Sequence, residues 1–373
     1  MYDCIIIGAG PSGATSAYHL AKKGHSVLIL EKASLPRYKP CGGGVSPIIQ
    51  SWFDFDFSPA ISLKSHTVYC TWNQEDAIAV DLGNNPIWMV RRDIFDHFLV
   101  KQAVKQGAIL KDKTEVKAIE FDSNGWLVNT ENEQFKGRYL IGADGAKGLT
   151  AKWLDFGKQK KSVVGALELE IPAEKVENTE TYFEFGLVQH GYAWNFPKAD
   201  GYSIGAGGFA KNRKAQSFHK IIDNYTGLFN LNMKEGCEHG HPIALWDGFQ
   251  KLHTENAVLA GEAACVVDPF TAEGIRPSIY SGLKASEAIS QALSGDINAL
   301  ARYSDIMAEE WGKEMQWAQR LASVFYRFPR LSYQLGVKHP SGGKTMVQVF
   351  AGEKTYSQVA QRGINLLTRG FFK

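Results

Sequence analysis

The sequence predicts an α/β (α+β) protein in which a parallel sheet, covered on both faces, is interrupted by antiparallel β insertions and followed by a helical C-terminal region. Three observations lead to this. Short unbroken apolar runs at residues 4–7, 26–30 and 257–260 have the pattern of strands buried on both sides. Glycine-rich turns follow the first and last of these runs and lead into helix-like stretches, so the chain returns to one sheet. Between the returns, residues 61–90 and 163–209 alternate apolar with polar, as half-buried strands do. The expected domains are 1–60, 91–162 and 251–310 for the discontinuous parallel-sheet domain, 61–90 and 163–250 for the β-rich domain, and 311–373 for the helical region.

Taken in order, residues 4–7 form the first strand and Gly8-Ala-Gly10-Pro-Ser-Gly13 opens a helix over 14–23. A second strand, 26–30, ends at Glu31 and completes a β-α-β unit. Residues 36–47 (PRYKPCGGGVSP) hold too much Pro and Gly for a regular element and predict a loop with unusual backbone angles. Strands are expected at 66–71, 77–81 and 87–90. Ile94, Phe95, Phe98, Leu99 and Val104 then recur at helical spacing over 93–106, with Asp93 as a candidate cap. Further strands are expected at 115–121, 125–129 and 134–141, the last running into Gly142-Ala-Asp144-Gly145. Aromatic residues concentrate at 191–197. The run at 257–260 ends in Gly261-Glu262-Ala-Ala and precedes a helix over 278–293. The tail alternates helix-like pieces with a loop at 338–344.

The 373 residues allow two or three domains and a sizeable core. Hydrophobic residues at 44% and charged residues at 21% exclude a disordered chain, and 37 glycines without a period exclude collagen. A net charge of +2 gives no general attraction to nucleic acid, so none is expected as a partner. The charge is segregated, however: the last 56 residues carry nine Lys/Arg and one acid. Five cysteines without a C-x-x-C pair suit reduced thiols in a cytoplasm. No apolar run approaches the roughly 18 residues of a membrane span, and no signal peptide is expected.

The glycine turn has a complete context. Gly8 permits the sharp turn from strand to helix, Gly10 lets backbone approach a pyrophosphate, and Gly13 allows close helix packing. The helix start supplies donors and a partial positive field. Glu31, 23 residues beyond Gly8, can accept from ribose hydroxyls, with Lys32 beside it. A dinucleotide site in a Rossmann-like domain follows; an ordinary glycine turn has no use for Glu31.

These motifs in this order resemble the flavoprotein superfamily that includes the aromatic-ring hydroxylases and, within it, the geranylgeranyl reductase family. The resemblance covers most of residues 1–300. It rests on GAGPSG with Glu31, PRYKPCGGGVS, RDIFDHFL from Arg92, GADG at 142–145, YAWNFP at 192–197 and GEAACVVDPFTAEGI at 261–275. It implies FAD as cofactor. By the same resemblance, Arg92 lies near the pyrophosphate, Asp144 near ribose and pyrophosphate, and Pro269, Gly274 and Ile275 beside the isoalloxazine. Glu262 stands where the superfamily has Asp, and its extra methylene displaces the carboxylate expected to meet a ribityl hydroxyl. Prenyl reductases resembling this chain share the Cys-Gly-Gly-Gly run, which aromatic hydroxylases lack. Gly43 and Gly44 would leave room for flavin or substrate. Cys41 is a candidate acid, a thiol being able to donate a proton; the bland alternative is a small buried residue. Tyr192, Trp194 and Phe196 alternate and share one face of a strand, which offers an isoprenoid chain apolar area, unless they are simply sheet core.

The activity implied is an FAD-dependent oxidoreductase that saturates double bonds of a polyprenyl group in lipid biosynthesis, with an external electron donor, either NAD(P)H or a redox protein. The alternatives are a monooxygenase or halogenase of the aromatic-hydroxylase type and a non-catalytic flavin-binding protein. A cytoplasmic location is expected, with peripheral membrane contact through the basic tail. No metal is expected: Cys237-Glu-His239-Gly-His241 matches no zinc spacing and reads as a solvated loop. Gly205-Ala-Gly207-Gly208 is followed by no acid-ended strand and is no second nucleotide turn.

Overall fold

Apolar runs without alternation belong in the middle of a sheet, and that is where they lie. Tyr2–Ile7 runs between Gln134–Gly142 and Val27–Leu30. Ala257–Leu259 flanks the former and Ile109–Lys111 the latter, and all four pairings are parallel. The hairpin of Val116–Asp122 and Gly125–Thr130 extends the sheet antiparallel to Gln134–Gly142. Ile5, Ile6, Leu28 and Ile29 are fully buried, as strands covered by helices on both sides require. Helix Pro11–Lys22 packs against both Arg92–Lys105 and Ile275–Leu293.

This computed structural model describes residues 1–209 and 217–371. They form two units, one of Met1–Lys39, Arg92–Ser162 and Ala244–Lys313, the other of Pro40–Arg91, Val163–Ile243 and Glu314–Lys373. Residues 40–60, expected in the first unit, lie in the second because Gly44–Val45 pairs with Ile87–Met89, which also pairs with Leu63–Ser65. The tail is likewise no separate region. Tyr333, fully buried, donates its hydroxyl to the carbonyls of Cys70 (2.8 Å) and Asp76 (2.7 Å), and Phe350 meets the ring of Phe183.

The second unit is built on a seven-stranded sheet in the order Cys237–Trp246, Lys161–Pro172, Gly201–Gly208, Gly191–Lys198, Thr181–Phe185, Thr67–Trp72 and Glu75–Asp81. Its pairs are antiparallel except Thr181–Phe185 with Thr67–Trp72, which is parallel, among the pairs whose register is defined. Two expectations are corrected here. The Cys237–His241 segment is a strand rather than a solvated loop, because alternate positions lead into the buried Ala244–Trp246 end. The loop at 338–344 is shorter: His339 accepts from the Ser341 amide and Pro340 occupies the first turn, so helix Pro340–Phe350 starts within it.

Close backbone contact sets the helix crossing in the first unit. A β-carbon on Gly282 would lie 2.4 Å from the carbonyl oxygen of Ser12, and Ser16 donates to the Gly282 carbonyl at 2.9 Å. Gly282→Ala would gain about 1 kcal/mol of helix propensity, but overpacking against unyielding backbone costs about 1–3 kcal/mol. The second term should win, and chemical denaturation should show Gly282→Ala less stable than wild type.

Candidate functional site

In the first unit, three turns meet at the start of helix Pro11–Lys22. A β-carbon on Gly8, whose φ is +105°, would lie 2.4 Å from the Ala143 carbonyl oxygen, so the first turn touches the Asp144-Gly145 turn. A β-carbon on Gly13 would lie 2.0 Å from the Gly8 carbonyl oxygen, and one on Gly261 would lie 2.3 Å from Ser12 Oγ. Only glycine permits this convergence. The helix has no side-chain cap on its first amides, and the space beyond the Gly10 α-carbon is open apart from Arg37 Nη2 at 3.8 Å.

Glu31 is 5% exposed; its Oε2 accepts the Ala9 amide and its Oε1 the Ala33 amide, both at 3.0 Å. The carboxylate thus fixes the turn as well as facing it. Lys32 beside it is exposed. A cation beside the glycine turn is Arg37. Arg37 lies 3.5 Å from Glu31 and 3.2 Å from Asp96, while Arg92 makes two bonds to Asp96 at 2.8 and 2.9 Å. The four charges cancel in a row, with Asp96 fully buried between two guanidiniums. Asp144 accepts the Thr150 amide and hydroxyl through Oδ2, while its buried Oδ1 has no partner. Glu262 uses its extra methylene to reach the Ala244 amide at 3.1 Å and leaves Oε2 3.8 Å from Lys39.

Beyond Glu262, Cys265 takes a left-handed conformation (φ +54°) and Pro269 is buried. Asp268 accepts the Phe270 amide at 2.7 Å. Glu273 pairs with Arg276 at 3.0 Å; burial pushes its carboxyl above the usual range, against the pull of Arg276. Gly274 caps helix Ile275–Leu293, which starts three residues earlier than the expected 278. Uncapped amides, an unpartnered buried Asp144 oxygen and a β-carbon-free cradle fit the pyrophosphate and ribose of FAD.

In the second unit, the space spared by the Cys41–Gly44 glycines is filled by protein. A β-carbon on Gly42 would lie 2.8 Å from the Phe196 ring and 3.2 Å from Trp194 Nε1. One on Gly43 would lie 2.1 Å from the Val90 carbonyl oxygen, and one on Gly44 3.4 Å from Phe196. The loop therefore lies flat on the aromatic strand, with Cys41 partly buried. Tyr192, Trp194 and Phe196 do share a face, and Trp194 and Phe196 join a cluster with Phe183, Phe185 and Tyr333. Gly205 is explained too: a β-carbon there would sit 2.1 Å from the Trp194 ring.

Arg37, Lys39, Asp96, Glu168, Glu170 and Lys198 carry no cofactor or catalytic signature of their own in the sequence. The Arg92–Asp96 spacing of four on a helix was a readable signal. Glu168 and Glu170 alternate on a strand, and nothing local reveals their burial.

Comparison with known proteins agrees with the cofactor assignment. A family described as FAD dependent oxidoreductase matches residues 3–96, and one described as FAD binding domain matches residues 58–193. An uncharacterized protein of Methanosarcina barkeri is 31% identical, covering 90% of this chain and 86% of its own. Digeranylgeranylglycerophospholipid reductase 3 of Methanosphaera stadtmanae is 27% identical, covering 87% of each. Among solved structures, a geranylgeranyl bacteriochlorophyll reductase-like protein of Thermoplasma acidophilum superposes with a TM-score of 0.76 at 23% identity over 87% of each chain. The flavin-dependent brominase Bmp2 superposes with 0.76 at 20% identity over 99% of each, which shows a shared fold.

Arg37→Met should weaken FAD binding by roughly tenfold to a hundredfold, the usual cost of losing one charge-assisted contact, while the Arg92–Asp96 pair keeps the fold. Titration of the apoprotein followed by flavin fluorescence measures this, with the melting temperature as the control for folding.

Proposed function

The chain belongs to the geranylgeranyl reductase family of FAD-dependent oxidoreductases, and from that premise we propose that it saturates carbon–carbon double bonds of a polyprenyl group carried on a lipid or diphosphate. Relatives bearing the name digeranylgeranylglycerophospholipid reductase support the substrate class. The observation that carries the reading is the Cys41–Gly44 loop lying on Trp194 and Phe196, which joins a thiol to an aromatic surface without hydrogen-bonding demands.

Bound FAD, once reduced by an external donor, supplies a hydride. The remaining requirements fall on the chain. An isolated trisubstituted alkene is unpolarised, so an acid must deliver a proton as the hydride arrives. Cys41 is proposed as that acid, with Tyr192 beside the alkene and with Trp194 and Phe196, on which Gly42 and Gly44 lie, and Gly43, against Val90, fixing the loop that carries the thiol. In the first unit, Gly8, Gly10, Gly13, Glu31, Asp144 and Glu262 are proposed to hold the cofactor. Apolar rings exclude water, which protects any cationic character on carbon.

Basic residues supply a second proposed contact, with an anionic lipid surface. From Met315 to Gly352 the chain has no Asp or Glu but five Lys/Arg. In the same segment Val324, Phe328, Leu331 and Leu335 are 62%, 53%, 55% and 69% exposed. Exposed apolar residues among cations suit a membrane interface, where each basic residue contributes about 1 kcal/mol. Among the described residues, no helix is long and apolar enough to cross a membrane.

Anaerobic mixing of dithionite-reduced protein with geranylgeranyl diphosphate should reoxidise the flavin and raise the product mass by about two units per saturated bond, one hydride plus one proton. Cys41→Ala should slow this by about a hundredfold. Rapid oxygen consumption with a hydroxylated product would instead select the monooxygenase reading. Flotation with phosphatidylglycerol vesicles should carry the wild type upward and leave Arg327→Glu/Arg330→Glu behind, at equal melting temperature.

A further inference from the structure

Strand Lys161–Pro172 places Glu168 and Glu170 two residues apart and therefore on one face. Glu168 is opposite Gly205, which is opposite Trp194; Glu170 is opposite Ser203, which is opposite Phe196. The carboxyl groups thus share the face of the aromatic residues, one strand of Ser and Gly away. Glu168 is 4% exposed. Two acids this close on one face, one of them almost fully buried, disfavour charging both at once. Burial pushes Glu170 up to about 8; Glu168 adds to the rise, while Lys198 and Arg91 oppose it.

The surrounding charges have other ties. Lys198, 2% exposed, donates to the Gly42 carbonyl, so the cation beside the pair also holds the Cys41–Gly44 loop. Arg91 is paired with Asp200. The neighbouring strand Cys237–Trp246 brings Glu238, His239 and His241, with Glu238 3.2 Å from His219. The mechanism above uses neither glutamate.

We propose that the Glu168–Glu170 pair is the proton store of the reduction, reloading the acid of the Cys41–Gly44 loop after each saturated bond. The inference rests on the polyprenyl reading. Each saturation breaks one π bond and forms two C–H bonds. The hydride donor provides one of these with its electron pair, and the loop acid provides the other as a proton. The acid is left as its conjugate base; the Glu170 O–H bond then breaks to restore it, and solvent reprotonates Glu170. No electrons move within the store. A chain with several double bonds consumes one proton per bond, and a largely neutral carboxyl beside a water-poor face can supply them in turn.

Two measurements test this. Infrared spectroscopy of FAD-loaded protein without substrate should show a protonated carboxyl band at neutral pH that fades as pH rises through about 8 and is absent from Glu170→Gln. In stopped-flow reduction of a substrate with several double bonds, Glu170→Gln should match wild type on the first bond. It should then fall about tenfold or more on later ones and lose the wild-type decline in rate above the same pH. Glu168→Gln should move that decline to lower pH, because the neighbour that raises Glu170 is then neutral. No carboxyl band, unchanged later turnovers in Glu170→Gln, or equal slowing of its first bond would each overturn the store. Wild-type protein that reduces no prenyl chain would overturn the polyprenyl reading and the store with it, an outcome that the variants alone cannot produce.

Discussion

The cofactor half of this molecule depends on one steric constraint: three chain segments remote in sequence must bring their backbones into contact around the first turn of a single helix. At Gly8, Gly261 and Gly282 a β-carbon would fall 2.3–2.4 Å from another segment's atoms, and at Gly13 it would lie 2.0 Å from the Gly8 carbonyl oxygen within the turn itself. Side chains at these points would separate the turns. The uncapped amides would then lose the Asp144 and Glu262 turns that complete the cradle.

Charge is handled in the same unit by closure into a row. Glu31, Arg37, Asp96 and Arg92 carry two charges of each sign, and the fully buried member, Asp96, lies between the two cations. Isolating any one of these charges in a desolvated site would cost several kcal/mol, so the row is best understood as a single element. Glu262 follows a related logic. Its longer side chain reaches the Ala244 amide, which orients the carboxylate through backbone rather than through a second side chain.

The parallel sheet was legible because doubly buried strands leave continuous apolar runs, and the glycine turns because their spacing has few other uses. The cation of the cofactor site was less so. Arg92 matched a motif, but Arg37, which reaches the turn and shares Asp96 with Arg92, lies on a loop after Glu31 that folds back in a way no periodicity records. The tail and residues 40–60 were misassigned for a similar reason: long-range pairing of Gly44–Val45 with Ile87–Met89, and of Tyr333 with Cys70, decides where those segments belong. The burial of Glu168 and Glu170 has no sequence signal, since alternation tells which residues share a side but not which side is dry.

The indole of Trp194 rests on a strand whose opposite residue, Gly205, offers no side chain at all. The constraint runs one way: a side chain at 205 would strike the ring, so that position is locked while the indole stands, whereas trimming the indole first would free both. The order of changes is therefore fixed for any lineage or designer reshaping this surface.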